Sequence, residues 1–248
     1  MTDFNRTPEA QEVFKAKRKP KGPIKFNIQL NEEQKTAKSK ILSNTVTILR
    51  GKAGSGKSLL AANVALDLLF SREIEKIIIT RPTVVAGQDI GFLPGDVNEK
   101  LAPFTAPVYE NMHRLYNKDK IEKCIADGEI EIVPVSFMRG RTFVDSFVIV
   151  DEAQNVTHEQ MQMIVTRIGL RSKMIICGDD HQVDLRSKRE SGFRFLYKSM
   201  RSIKKGIGIT LLKNHRDPIV DDLIQVYEEA SAQGIKLGSS GTSGKSKK

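Results

Sequence analysis

An α/β fold built on a mostly parallel, doubly wound sheet is what this 248-residue sequence predicts, and three stretches predict it. Thr45-Val46-Thr47-Ile48-Leu49, Ser146-Phe147-Val148-Ile149-Val150 and Lys173-Met174-Ile175-Ile176-Cys177 are short apolar runs, and glycine or acidic residues follow each. Runs without polar alternation suit strands covered on both faces. Helical patterns separate the runs, as βαβ units require, and polar residues at the carboxyl ends of parallel strands gather at one sheet edge.

Taken in order, residues 1–25 hold seven basic side chains against Asp3, Glu9 and Glu12 and read as a flexible basic tail. Residues 236–248, rich in Gly, Ser and Lys, read as a second tail, leaving 26–235 as one domain. Within it the pattern predicts a helix over 31–42, a strand over 45–50, a helix over 58–70 and a strand over 76–80. Gly87, Gly91, Pro94, Gly95, Pro103 and Pro107 make 87–107 an irregular excursion, and its length suggests a binding role. Phe92 and Phe104 in it read as core residues rather than base-stacking platforms. Helices follow over 108–127, where Tyr109, Met112, Leu115 and Tyr116 form a packing stripe. A strand over 129–135, the strand ending at Asp151, a helix over 157–167, the strand starting at Lys173, a strand over 206–212 and a closing helix over 218–230 complete the domain.

Between the first strand and its helix lies Gly51-Lys52-Ala53-Gly54-Ser55-Gly56-Lys57-Ser58, a complete phosphate-binding loop in the strand-to-helix context that its mechanism demands. Glycines let the backbone wrap so that successive N–H groups face phosphate oxygens, and the helix N-terminus adds positive potential. Lys57 is placed to reach β/γ-phosphates and the Ser58 hydroxyl to ligate Mg²⁺.

Asp151 and Glu152 end the next buried strand. In phosphoryl transfer the first carboxylate holds Mg²⁺ and the second orients and deprotonates the attacking water. Acids also gather at helix caps, but a phosphate loop upstream favours chemistry. Gly178-Asp179-Asp180-His181-Gln182 closes the following strand, and a neutral amide there can distinguish a triphosphate from its product; Gln182 is the candidate.

Three stretches carry a resemblance: Thr80-Arg81-Pro82-Thr83-Val84-Val85-Ala86-Gly87-Gln88-Asp89-Ile90-Gly91-Phe92-Leu93-Pro94-Gly95-Asp96, Met138-Arg139-Gly140-Arg141-Thr142, and Asp151-Glu152-Ala153-Gln154-Asn155 through Thr166-Arg167-Ile168-Gly169. Together they resemble the PhoH-like ATPases, relatives of the superfamily 1 helicases, over about residues 30–230. The resemblance implies a RecA-like core, ATP hydrolysis with Mg²⁺, and action on RNA or single-stranded nucleic acid. By the same resemblance Gln34 reads adenine, while Arg81, Thr83, Arg139, Arg141 and Thr142 contact the nucleic acid.

One RecA-like domain offers ATP a single wall, so an arginine from a neighbouring subunit is expected to complete the site. A homo-oligomer, a ring or other head-to-tail assembly with ATP at its interfaces, answers that need; Arg139, Arg141, Arg167 and Arg216 are the arginines available. Formal charge is +10, yet each tail carries +4, which leaves about +2 on the body. The tails suit either loose polyanion binding or solubility. Cys124 and Cys177 and the four histidines show no ligand spacing. No run spans a bilayer, and a cytoplasmic protein is expected. Two other readings stand beside a nucleic-acid remodeller: an ATP-dependent switch on a protein partner, and a small-molecule kinase.

Overall fold

The computed structural model describes residues 24–82, 97–185 and 187–232. Met1–Lys213 forms one compact unit and Asn214–Lys248 another. Among its described residues the first holds six strands: β1 Val46–Gly51, β2 Lys76–Thr80, β3 Ile130–Ile132, β4 Ser146–Val150, β5 Lys173–Gly178 and β6 Gly206–Leu211. All neighbouring pairs are parallel, in the order β3-β2-β4-β5-β1-β6. The described α-helices of this unit are α1 Glu32–Ser43, α2 Lys57–Phe70, α3 Val97–Leu115, α4 Lys118–Ala126, α5 His158–Val165 and α6 Gly192–Ser199. In the second unit the described helix is α7, Ile219–Ala232.

The period-2 geometry of a strand divides each apolar run between two cores. Leu49, Ile77, Ile79, Phe147, Ile149 and Ile175 meet α1, α2, α3 and α4 on one face. Ile48, Ile78, Val148, Val150, Met174 and Ile176 meet Met161 and Ile164 of α5 and Phe193 of α6 on the other. Burial on both faces explains why the runs lack polar alternation.

Most boundaries agree with the expectations to within a residue or two. Three departures have clear causes. First, the expected irregular excursion is helical from Val97 onward; residues 87–96, including Phe92, lie outside the described residues, as does the side chain of Phe104. Pro107 lacks an N–H and removes one helical hydrogen bond, but Val108, Met112 and Leu115, at i, i+4 and i+7, are all buried, and that packing holds the helix. Second, the strand over 129–135 is only Ile130–Ile132, because Pro134 turns the chain into a short 3₁₀ turn over Val135–Met138. Third, α6 is absent from the elements that the sequence predicts. Its eight residues set Phe193 fully inside, a pattern too short for periodicity to detect.

Candidate functional site

The strand order sets the site. β5 lies between β1 and β4, so the loop after β1, the acids after β4 and the Gly178-Asp179 turn after β5 meet at one carboxyl edge. Ligands of open α/β sheets bind at such edges.

The loop has the backbone that its glycines permit. Gly54 and Gly56 take φ of 84° and 81°, left-handed values that L side chains adopt at a cost. Gly51 has a different reason: a Cβ there would lie 2.5 Å from Ser55 Oγ and 2.8 Å from the Leu211 carbonyl oxygen. At Gly56, α2 begins without a side-chain cap and with no acid in its first turn. By contrast α1 starts with a capping box and two glutamates. The uncapped N–H groups and helix dipole of α2 therefore favour an anion. Lys57 Nζ donates to the carbonyls of Gly51 at 2.7 Å and Lys52 at 2.9 Å, so its charge lies within the loop.

The loop and the acid strand are joined directly. Ser58 Oγ donates to Asp151 Oδ1 at 2.8 Å. Asp151 is 4% exposed; burial and the neighbouring Glu152 push its carboxyl above the usual range, against the lowering effects of Ser58 and Arg81. A hydroxyl and a carboxylate are hard oxygen donors, and Mg²⁺ uses one or two carboxylates with waters and phosphates rather than an all-protein cage. The pair fits that ion, although no group of three or more His, Cys, Asp or Glu with metal-binding geometry occurs among the described residues.

Glu152 sits at φ 49°, ψ 38°, a left-handed conformation costly for a glutamate. Gln154 holds it there. Its Nε2 donates to Glu152 Oε2 at 2.7 Å, and its Oε1 accepts from the Asp179 N–H at 3.1 Å. The two partners fix the amide orientation, since an N–H needs the oxygen and a carboxylate needs the N–H. Gln154 is 1% exposed, so it is a buried tie between the ends of β4 and β5. Asn155 makes a second tie, donating to Asp184 Oδ2 at 3.0 Å and accepting from the Asp184 N–H at 2.8 Å. Neither amide stands out as a site residue in the sequence, although each lies beside the acid pair.

Other expected residues are placed as follows. Arg81 approaches the acids, 3.9 Å from Asp151 and 3.5 Å from Glu152. Gln182 is exposed beyond β5, its N–H bonded to the Asp179 carbonyl at 3.2 Å. Gln34 is buried, and its side chain completes the capping box of α1 by accepting from the Asn31 N–H at 3.2 Å. Arg141 forms a two-pronged pair with Glu131 at 2.7 and 3.0 Å, while Arg139 and Thr142 are exposed. The Arg167 guanidinium folds onto the carbonyls of Met163 and Arg141 and the Thr166 hydroxyl. Arg216 belongs to the second unit, and Thr83 lies outside the described residues.

A family model described as PhoH-like protein matches residues 28–228. A PhoH-like protein of Synechocystis sp. is 39% identical over 193 residues, covering 77% of this chain and 58% of the relative. That of Bacillus subtilis is 43% identical over 182 residues, covering 72% and 57%. The chain thus spans under two thirds of the length of these relatives. Among solved structures, the large terminase from a thermophilic bacteriophage matches with a TM-score of 0.53 at 10% identity, covering 80% of this chain and 50% of that one, a likeness of fold alone. No described helix is long and apolar enough to cross a membrane.

Proposed function

Since the chain belongs to the PhoH-like protein family, we propose that it binds Mg²⁺-ATP at the β1–α2 loop, hydrolyses it, and couples hydrolysis to RNA or single-stranded nucleic acid as a homo-oligomer. The observation that supports it most is the 2.8 Å bond from Ser58 to Asp151, which brings the phosphate loop and the acid pair into one site. When bound there, Mg²⁺ held by Ser58 and Asp151 would neutralise charge on the β- and γ-phosphates. Loop N–H groups and the start of α2 bind the phosphate oxygens. Lys57 exchanges two backbone carbonyls for phosphate, a stronger charge-assisted partner. Glu152 takes the proton of the attacking water, and Gln154 keeps its carboxylate aimed. Gln182 senses the γ-phosphate, and Gln34 contacts the base.

Arg81, Thr83, Arg139, Arg141 and Thr142 face the polymer in this reading. With Arg81 within 4 Å of both acids, a polymer that drew it away would alter the field at Glu152, a direct route from strand to hydrolysis. The arginine that completes the transition state comes from a neighbouring subunit. With Arg139 and Arg141 assigned to the polymer and the Arg167 guanidinium bonded to backbone carbonyls, Arg216, exposed in the second unit, is the candidate. A chain working on such substrates belongs in the cytoplasm.

Phosphate release with Mg²⁺-ATP, measured alone and with RNA, single-stranded DNA or duplex, tests the reading. Stimulation by single strands, falling as salt rises, is the expected result. Hydrolysis that no polymer alters at any salt would favour an ATP-dependent switch acting on a protein. If the arginine acts in trans, mixing inactive Lys57→Ala and Arg216→Ala proteins restores part of the activity.

A further inference from the structure

Outside the N-terminal tail, the net charge of the α/β unit is concentrated in one place. Residues 188–205 hold seven Lys and Arg against Glu190 alone, a net +6. Residues 26–213 sum to +6, so everything else in that span sums to zero. None of the seven forms an ion pair with a carboxylate among the described residues. This contrasts with Arg72, Arg141 and Arg171, each bonded to an acid elsewhere in the unit.

Helix α6 arranges these charges. Phe193 is buried inside, while Arg194, Lys198 and the following Arg201 stand exposed at i, i+4 and i+7, the spacing of one helical face. At 1.5 Å rise per residue the cations are spaced by roughly 4.5–6 Å along the axis. Lys204 and Lys205, both exposed, continue the strip toward β6. Beside Arg194 the Phe195 ring is 63% exposed and lies edge-on to His158, centroids 5.6 Å apart. Unpaired cations and a singly exposed ring each cost little on a solvated face, but a ring set beside a run of cations is the combination that a single-strand stacking platform uses.

We infer that this strip, Arg194, Lys198 and Arg201 with Phe195, is a single-strand nucleic-acid surface, with phosphates along the cations and a base against the ring. The inference rests on the nucleic-acid part of the proposed function but assigns it a different surface from Arg81 and the 139–142 segment. A single strand is favoured over an acidic protein because stacking on Phe195 requires an unpaired base. The strip also has a path to the site. Phe193 packs against Gly178 so closely that a Cβ there would lie 2.7 Å from its ring. Asp179 follows and bonds to Gln154, which holds Glu152. A strand on α6 is therefore linked to the general base through Phe193, the end of β5 and Gln154.

The test uses fluorescence anisotropy of labelled oligouridylate, with oligothymidylate and duplex RNA of equal length as arms to separate RNA from DNA and single from double strands. Titrations run between roughly 50 and 200 mM salt. For Arg194→Gln/Lys198→Gln/Arg201→Gln, losing three phosphate contacts makes the log affinity against log salt slope shallower by about 2. For Phe195→Ala, affinity for single strands drops about fivefold or more with the slope unchanged. Both variants keep the unstimulated ATPase rate, which verifies folding, and the triple variant loses stimulation by polymer. If the parent binds single strands and both variants match it in affinity and slope while Arg139→Gln does not, the strip assignment is overturned and the proposed function stands. If the parent binds no strand at low salt, the nucleic-acid reading itself fails, and the strip serves an acidic protein instead.

Discussion

Replacing Gln154 by leucine isolates the tie between the two strand ends. Leucine nearly preserves the volume, so a cavity contributes little, and the change removes two hydrogen bonds. The first leaves the buried Asp179 N–H without its 3.1 Å partner, which costs about 1–3 kcal/mol. The second, to the Glu152 carboxylate at 2.7 Å, is charge-assisted, but water reaches Glu152, so its loss adds little to stability. A total of about 2 kcal/mol translates, at about 2–4 °C per kcal/mol for a domain of this size, into a melting temperature lower by about 4–8 °C. The catalytic consequence is larger in proportion. A general base contributes about 10²–10⁴ to rate, and a base freed from its anchor forfeits part of that, so kcat falls by about tenfold to a hundredfold. KM for ATP stays within about threefold, since Lys57 and Ser58 are untouched. Thermal melting by circular dichroism and steady-state phosphate release give both numbers. Unchanged melting and unchanged kcat would refute the tie, and a raised KM with kcat intact would place Gln154 in nucleotide binding rather than base positioning.

Asp151→Asn separates stability from activity. Burial raises the Asp151 carboxyl above its unfolded value, so the native state binds its proton more readily and stability declines as pH rises from the unfolded value through the raised one. Asp151→Asn should therefore flatten the fall of melting temperature with rising pH in the absence of nucleotide while losing Mg²⁺-dependent hydrolysis; a steeper fall than in the parent would contradict the sign. Gly178→Ala places a Cβ against the Phe193 ring at 2.7 Å and should cost about 1–3 kcal/mol by overpacking. Phe193→Leu in the same chain should recover part of it, and no recovery would show that the strain lies elsewhere.

The loop, the two acid-bearing strands and the order of elements were legible because each is written locally: glycines at fixed spacing, continuous apolar runs, acids at strand ends. The ties that make these pieces a site were not. Gln154 and Asn155 bond to Asp179 and Asp184, residues 25 and 29 positions away, and nothing local distinguishes a buried tying amide from one on a surface turn. Gln34 illustrates the converse, for a residue singled out by resemblance also completes a capping box with Asn31, a role readable from Asn-x-x-Gln spacing. Helix α3 runs against its prolines because burial of Val108, Met112 and Leu115 outweighs a lost backbone bond. The basic strip is hidden by net charge, since a sum over 26–235 cancels its +6 against the −4 of residues 214–235.

Equilibrium titration of Mg²⁺-ATP into the parent, Lys57→Ala and Glu152→Gln proteins, followed by recovery of the bound nucleotide, is the most direct measurement of the central claim. The parent should bind and release ADP, Glu152→Gln should bind with similar affinity and return intact ATP, and Lys57→Ala should bind weakly or not at all. A parent that takes up no nucleotide at millimolar concentration, or a Glu152→Gln protein that hydrolyses at the parental rate, would contradict it.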